Sequence, residues 1–138
     1  SKERVTKAKT GVEGFEIKTQ LGSDNTAILE AGKPIPLIVE VNVKKEAKYE
    51  NIMIEVPIPG ACSYADKRQT NQGIETHREY FKDRTVIFCE NMKSGKYTFV
   101  IQLLPRFTGK YLINPSQVSL MYVPVVNANT DLKVVSVE

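Results

Sequence analysis

Few side chains in this sequence could support acid–base, nucleophilic or metal chemistry. It has one histidine, His77, and two cysteines, Cys62 and Cys89. A nucleophilic triad needs a histidine beside its nucleophile and a third group that orients it, and a zinc site needs about four ligands. One histidine in the polar run 75–79 meets neither requirement, so we expect His77 to be a surface residue at the start of a strand.

The two cysteines allow two interpretations. Cys62 and Cys89 can be buried free thiols, the common state of a cysteine that is not bonded. They can instead form one disulfide, provided that the fold brings them together. A single pair is too few to hold a small fold together, and the spacing does not suit zinc. We favour free thiols and keep the Cys62–Cys89 disulfide as the alternative.

Paired carboxylates are the remaining candidates for catalysis. Glycoside hydrolysis needs two acids that face one cleft, and Glu13 with Glu16 or Glu75 with Glu79 could be nominated. We expect all four to be ordinary solvated acids. The sequence also has no glycine-rich phosphate loop and no Gly-x-Ser-x-Gly motif. It therefore predicts a protein that is not an enzyme, with no cofactor and no metal site.

Two other groups of side chains indicate binding rather than chemistry. The basic run of Lys44, Lys45 and Lys48 could bind an acidic partner, but we favour a solvated hairpin tip. The tyrosines are spread over different segments, which favours core and strand-edge positions over a platform for stacking sugars. These tyrosines are Tyr64, Tyr80, Tyr97, Tyr111 and Tyr122.

Composition limits the class of protein. The 138 residues are 41% hydrophobic and 25% charged, as in globular domains, and we expect one domain over residues 1–138. The net charge of +3 is interleaved along the chain, which argues against a nucleic-acid interface. No apolar run approaches the roughly 18 residues that span a bilayer. The chain begins at Ser1 and its last apolar run stops abruptly, so we expect a C-terminal fragment of a larger protein.

Alternating apolar residues predict β-strands along most of the chain. Residues 35–43 and 51–57 alternate clearly, and the polar run 44–48 between them predicts a connection. The segment Pro57-Ile58-Pro59-Gly60 ends the second strand, because proline donates no hydrogen bond to a sheet. Residues 64–76 form a long polar loop with room for one short helical turn.

The second half of the chain predicts further strands. Residues 84–90 and 96–105 are rich in β-formers, and the run 91–95 between them predicts a turn. Strands are also predicted at 117–122 and 133–137. A turn and a further extended piece are predicted at 107–115, and one or two more strands at 4–9 and 12–20. With about seven to nine short strands and a turn every 8–12 residues or so, the sequence predicts an all-β antiparallel β-sandwich of macroglobulin-like or immunoglobulin-like type.

The order of several short motifs resembles a known family. The Pro-Ile-Pro-Gly strand end at 57–60 is followed by Arg-Glu-Tyr-Phe-Lys-Asp-Arg-Thr-Val-Ile-Phe at 78–88 and a Lys-Ser-Gly turn at 93–95. A Thr-Gly-Lys-Tyr-Leu-Ile-Asn-Pro segment at 108–115 and a Met-Tyr-Val-Pro box at 121–124 follow. Over about its last three-quarters the chain resembles the C-terminal macroglobulin-like domain of bacterial alpha-2-macroglobulins. It departs from them at Asn114, at 125–127 and in the 64–76 loop.

This resemblance implies a role in a protease trap. In the family, a protease cuts a bait region, the domains rearrange, and in many members a Cys-x-Glu-Gln thioester in a separate domain captures the protease. Neither Cys62 nor Cys89 lies in such a motif. The resemblance therefore implies a non-catalytic domain that packs against the thioester domain of the same chain and controls its exposure. Target proteases would be met through the full-length protein, in the periplasm or bacterial cell envelope, without nucleic acid or membrane insertion.

The resemblance also implies a candidate interface. A tyrosine of this domain is thought to shield the thioester from water, and Tyr122 of the Met-Tyr box, beside Met121, is our candidate. The alternative is that Met121 and Tyr122 fill the core of the sandwich. A different function also fits the fold, namely an immunoglobulin-like adhesion or carbohydrate-binding module of a cell-surface protein. An exposed row of aromatic side chains would favour that function.

Overall fold

A computed structural model describes residues 14–68, 73–121 and 123–138, with side chains except at 45–48 and 123–129. These residues form ten β-strands and no helix, so the all-β antiparallel prediction is confirmed with a slightly higher strand count. Residues 69–72, part of the loop for which a helical turn was considered, lie outside the described residues. The strands are β1 Phe15–Leu21, β2 Ile28–Leu29, β3 Ile35–Pro57, β4 Cys62–Tyr64, β5 Glu75–Tyr80, β6 Arg84–Pro105, β7 Gly109–Ile113, β8 Gln117–Leu120, β9 Val123–Asn129 and β10 Lys133–Val137.

Two long strands form the centre of the fold. Strand β3 runs through residues 44–48, so the predicted polar connection and hairpin tip at Lys44, Lys45 and Lys48 are wrong. The chain does not reverse there, because the apolar segments before and after this run pair antiparallel with the same partner, β6. The run instead forms an irregularity. Val43 pairs with Gly95 and Lys48 pairs with Lys93, so four residues of β3 lie opposite one residue of β6.

Strand β6 is also continuous, because its residues before and after the 91–95 run pair with the same strand, β3. The predicted turn at 91–95 is wrong, since these residues lie inside β6 and Met92 is fully buried there. Gly95 has a φ of 142°, a backbone conformation that side-chain-bearing residues rarely adopt. This glycine lets the strand bend opposite the β3 irregularity without ending.

The remaining strands either extend the sheet that contains β3 and β6 or form a second sheet. The seven-stranded sheet has the order β4-β6-β3-β8-β9, with β1 also paired to β3 and β5 also paired to β6. The second sheet has the order β2-β10-β7, in which β10 runs parallel to β2 and antiparallel to β7. Side chains of both sheets build one core. Its members include Phe15, Ile17, Leu29, Val39, Ile54, Phe99, Ile101, Val135 and Val137.

Several local predictions agree with the structure. Strand β3 ends at Pro57, as predicted. In the β5–β6 turn, the N–H of Phe81 donates to the carbonyl of Arg84 at 2.8 Å. The predicted strands at 12–20, 107–115, 117–122 and 133–137 correspond to β1, β7, β8 and β10. Strands β2, β4 and β9 were not predicted, and the predicted strand at 4–9 lies outside the described residues.

Candidate functional site

Met121 lies in the tight connection between β8 and β9. Its backbone N–H donates to the carbonyl of Asn51 at 2.8 Å. Asn51 has a φ of 57°, a left-handed conformation that asparagine tolerates better than most residues. The Met121 side chain is 43% exposed, so the alternative in which it fills the core is wrong; the buried position on β8 belongs to Val118. Tyr122 lies outside the described residues, and its role stays a prediction.

A second exposed apolar surface lies on the outer face of the β2-β10-β7 sheet. Ile28, Leu112 and Val134, which we call the outer-sheet patch, are each more than half exposed. Leu112 and Val134 are direct cross-strand partners, and Ile28 pairs with Ser136 two residues further along β10. Adjacent exposed aliphatic side chains of this kind are typical of surfaces that another protein element covers.

Both cysteines are free thiols in the interior. Cys62 lies on β4 beside Pro105, and Cys89 lies on β6 between Ile52 and Glu75. The structure thus places the two thiols as separate buried groups. Burial raises the pKa of the Cys62 thiol to about 11. Burial, together with the nearby Glu75 carboxylate, raises the pKa of Cys89 to about 12.

These pKa values predict unreactive thiols in the folded state. Since the thiolate is the nucleophile, we expect Ellman's reagent at pH 8 to react more slowly with the native chain than with the unfolded chain, by roughly 100-fold at Cys62 and roughly 1000-fold at Cys89. The folded state keeps protons that the unfolded state releases above pH 9.0. Stability is therefore lost as the pH rises through about 9 to 12, and the Cys62→Ala/Cys89→Ala variant should show a flatter alkaline profile.

Counting thiols in the unfolded, non-reduced chain completes this test. Two reactive groups per chain are expected. A chain in which no thiol reacts without a reductant would contradict the free-thiol assignment and favour the disulfide.

The buried ion pair of Glu75 and Arg78 was not predicted from the sequence. Glu75 was expected to be a solvated acid, but the side chains of Arg78 and Glu75 are 1% and 0% exposed. Arg78 Nε and Nη2 donate to the two Glu75 carboxylate oxygens at 2.9 and 2.7 Å. Arg78 Nη1 also donates to the carbonyl of Val100 at 2.8 Å, to the carbonyl of Arg68 at 3.3 Å and to the Tyr80 hydroxyl at 3.0 Å.

The ion pair holds charge in the interior and ties three segments together. Burial opposes the charge of Arg78, but the hydrogen bonds with Glu75 and Tyr80 outweigh burial and keep the pKa of the guanidinium above its usual value. Through Val100 and Arg68, the guanidinium links β5 to β6 and to the start of the 64–76 loop. Because the carboxylate is buried away from solvent and both of its oxygens accept from the arginine, we assign the pair a structural role.

Hydroxyl groups of two tyrosines reinforce the same region. The Tyr64 hydroxyl donates to the carbonyl of Arg84 at 2.8 Å and accepts a hydrogen bond from Thr85 at 3.1 Å. The Tyr80 hydroxyl donates to the carbonyl of Arg68 at 2.9 Å. The two rings meet edge to face at 4.7 Å between centroids. The positions predicted for Tyr64 and Tyr80, at strand edges beside the core, are confirmed.

The other acid–base candidates with described side chains are His77, Glu79 and Glu16. His77 is exposed, as predicted, with Nε2 3.1 Å from the Glu79 carboxylate. Glu16 accepts a hydrogen bond from Asn42 at 3.2 Å, and Glu13 lies outside the described residues. Among the described residues, no group of three or more His, Cys, Asp or Glu side chains could hold a metal ion. The same part of the chain contains no helix long and apolar enough to cross a membrane.

Comparison of the sequence with protein families identifies a family that covers most of the chain. Residues 4–124 fit the family described as Bacterial Alpha-2-macroglobulin MG10 domain. No curated protein sequence matches the chain.

Three solved structures of similar fold match this chain over a small part of their own length. One is native alpha-2-macroglobulin from Escherichia coli, spanning domain MG7 to the C-terminus, with a TM-score of 0.74, 18% identity, and coverage of 91% of this chain and 24% of that chain. A second is trypsin-activated alpha-2-macroglobulin from Escherichia coli, with a TM-score of 0.79, 16% identity, and coverage of 98% and 11%. A third is Salmonella alpha-2-macroglobulin reacted with methylamine, with a TM-score of 0.75, 18% identity, and coverage of 91% and 9%. At these identities the likeness is one of fold, and this chain spans a quarter of those chains at most.

Proposed function

This chain belongs to the bacterial alpha-2-macroglobulin MG10 domain family, and from that premise we propose that it packs against the thioester domain of its parent protein and controls thioester exposure. By parent protein we mean the full-length chain that contains this domain. In this proposal the domain performs no catalysis. It contributes an interface that is closed before a protease attacks and opens afterwards.

The exposed Met121 is the observation that carries this proposal. Its side chain points away from the core, while its backbone is tied to Asn51 in the middle of the longest strand. A methionine presented on a fixed turn suits an irregular apolar surface, because its thioether is flexible and polarisable. Met121 also begins the Met-Tyr-x-Pro box at 121–124, in which Tyr122 is our candidate for the residue that shields the thioester. The outer-sheet patch offers a second surface for neighbouring domains.

A closed interface of this type needs only modest free energy. A difference of about 5.5 kcal/mol moves a two-state equilibrium from 99:1 to 1:99. Exposure of roughly 200 Å² of apolar surface to water on rearrangement supplies an energy of that order. The related Escherichia coli protein is activated by trypsin and the related Salmonella protein reacts with methylamine, which fits a parent protein with two states.

We further propose that the parent protein is a protease trap in the periplasm or envelope of a bacterium. Its target proteases would meet this domain only through the full-length protein. An adhesion or carbohydrate-binding module is not favoured, because the exposed rings of Phe81 and Phe107 each carry an arginine over one face. Sugar rings stack on aromatic faces, and these faces are partly covered.

In the parent protein, Met121→Asp should open the thioester before any protease is added. An aspartate carboxylate buried against an apolar surface costs several kcal/mol, so the closed state loses population. We expect release of the thioester thiol, followed with Ellman's reagent under native conditions, to accelerate roughly 10-fold or more. Cys62 and Cys89 are buried with raised pKa values, so they add little to this signal.

Leu132→Asp is the matched control, because Leu132 is 51% exposed and lies outside the Met-Tyr box. It should leave thiol release unchanged, whereas Tyr122→Ala should act like Met121→Asp. Unchanged release in both box variants would reject the shielding role.

A separate experiment tests the trap function. The parent protein without this domain should no longer protect a large protein substrate from trypsin. If the intact parent protein protects nothing either, the trap function is wrong.

A further inference from the structure

A groove with aromatic and basic walls lies away from the Met-Tyr box. Its volume is about 280 Å³, and it is bounded by β4, the β5–β6 turn and the connection between β6 and β7. We call it the basic groove and define it by Tyr64, Lys67, Phe81, Lys82, Arg106 and Phe107. A space of this size holds one or two side chains rather than a large ligand.

All charged side chains that line the basic groove are positive. Lys67, Lys82 and Arg106 are exposed and form no ion pair within the described part of the chain. No acidic side chain lines the groove. The two nearest acids in sequence are already engaged, since Asp66 pairs with Arg68 at 2.6 Å and Asp83 with Arg84 at 3.1 Å. A partner that brings carboxylates would therefore meet three cations and no acidic side chain in the lining of the groove.

Two phenylalanines give the groove an apolar component. Phe81 is 37% and Phe107 61% exposed, although both are large hydrophobic side chains. The Arg84 guanidinium lies 4.4 Å from the centroid of the Phe81 ring, and that of Arg106 lies 5.7 Å from the Phe107 ring. Stacked guanidinium groups hold the rings in place and keep cations beside them.

Strand β4 supplies main-chain groups along one wall. The N–H of Arg106 donates to the carbonyl of Ala61, and the N–H of Ala65 donates to the carbonyl of Gln102, both across the β4–β6 pairing. In an antiparallel pair the residues alternate in direction, so the N–H and carbonyl of Tyr64 face away from β6. Among the described residues, no strand pairs with this outer side of β4.

From these three features we propose that the basic groove binds an extended acidic polypeptide segment, which adds a strand to the outer edge of β4. Carboxylates on the segment pair with Lys67, Lys82 and Arg106. An apolar side chain between them packs against Phe81 and Phe107. Main-chain hydrogen bonds to Tyr64 set the alignment of the segment, as in other cases where a peptide extends a sheet.

A polypeptide fits this groove better than other anions do. A nucleic acid or polyphosphate would use the three cations but would leave the outward main-chain groups of β4 and the phenylalanine rings without a matching partner. A neutral sugar would leave all three cations unused. Only an acidic peptide with an apolar residue uses the charges, the rings and the strand edge together.

Titration of the isotope-labelled 138-residue chain with a short peptide tests this proposal. The probe is a capped pentapeptide with a central phenylalanine flanked on each side by two glutamates. We expect saturable amide shifts confined to residues 61–67, 80–84 and 104–108. Replacing the glutamates of the probe with lysines should abolish binding, and replacing its phenylalanine with serine should weaken binding roughly 5-fold or more.

Charge-reversal variants locate the site. Lys82→Glu/Arg106→Glu should weaken binding of the acidic probe by roughly 10-fold or more at low salt. The matched control Lys18→Glu/Lys110→Glu makes the same net change on β1 and β7 and should leave the affinity within about 2-fold. Equal weakening by both double variants, shifts outside the groove, or no saturation would overturn the proposal. Tighter binding of oligodeoxythymidylate than of the peptide would overturn it in favour of a nucleic-acid site.

Discussion

Replacing Arg78 by methionine should lower the free energy of unfolding by about 3–5 kcal/mol, the largest effect we expect from an ionic side chain in this chain. The substitution leaves the Glu75 carboxylate buried without its counter-charge, because both carboxylate oxygens lose the hydrogen bonds of Arg78. The carbonyl of Val100 loses its 2.8 Å donor as well. Urea denaturation followed by far-ultraviolet circular dichroism measures the change, since the chain has no tryptophan.

Two further variants separate the charge effect from simple loss of packing. Glu75→Leu/Arg78→Met removes both charges and should recover much of the stability, because no unpaired charge remains. His77→Ala changes an exposed neighbour on the same strand and should shift the free energy of unfolding by no more than about 0.5 kcal/mol. A loss below about 1 kcal/mol in Arg78→Met would contradict the assignment of a buried, saturated ion pair.

The same cluster supports the basic groove. The carbonyl of Arg68 accepts hydrogen bonds from Arg78 and from the Tyr80 hydroxyl, which holds the segment that carries Lys67. The Tyr64 hydroxyl binds the carbonyl of Arg84 beside Phe81. These hydrogen bonds therefore position two walls of the surface groove. Holding those walls in place is a structural role for an ion pair whose burial costs desolvation free energy.

Replacing Phe99 by alanine should lower the free energy of unfolding by about 3–5 kcal/mol through loss of packing. Phe99 is 0% exposed and pairs across the centre of the fold with Val39, which is equally buried. Truncation removes most of an aromatic ring from the contact between the long strands and leaves a cavity that the paired backbones cannot close. Thermal and urea denaturation of the variant should both report the loss.

Phe107→Ala is the matched control for this experiment. It makes the identical chemical change at a ring that is 61% exposed, and it should alter the free energy of unfolding by no more than about 0.5 kcal/mol. Comparable losses in the two variants would contradict the placement of Phe99 in the core. A stable Phe107→Ala chain also provides a folded variant for peptide titration, where loss of the exposed ring should weaken binding.

The local patterns of the sequence predicted much of the fold correctly. Alternation in 35–43 and 99–103 identified buried residues such as Leu37, Val41 and Leu103. The order of the motifs predicted the macroglobulin-like family, and the family match over residues 4–124 confirms it. These predictions succeeded because the alternation of side chains between the two faces of a strand follows from backbone geometry and does not depend on the partner.

The wrong predictions fall at residues whose conformation depends on the strand with which they pair. Polar residues at 44–48 and 91–95 are compatible with either a turn or a strand irregularity, and pairing of both halves of β3 with β6 selects the irregularity. The exposure of Met121 likewise follows from its place after β8, because an apolar side chain fits a core or an interface equally well. In these places local propensity is weak, so long-range pairing controls the outcome.

Glu75 and Arg78 show most clearly the difference between what the local sequence predicts and what the tertiary structure determines. Their spacing in a polar segment of the sequence is indistinguishable from that of two solvated charges. They are buried because the carbonyls of Val100 and Arg68 come from other segments and, together with Tyr80 of the same strand, satisfy the guanidinium. Strand formation, burial of alternating residues and family membership are encoded in local order along the chain. The ion pair, the exposed methionine and the basic groove arise only when distant segments meet, because each depends on groups far apart in sequence.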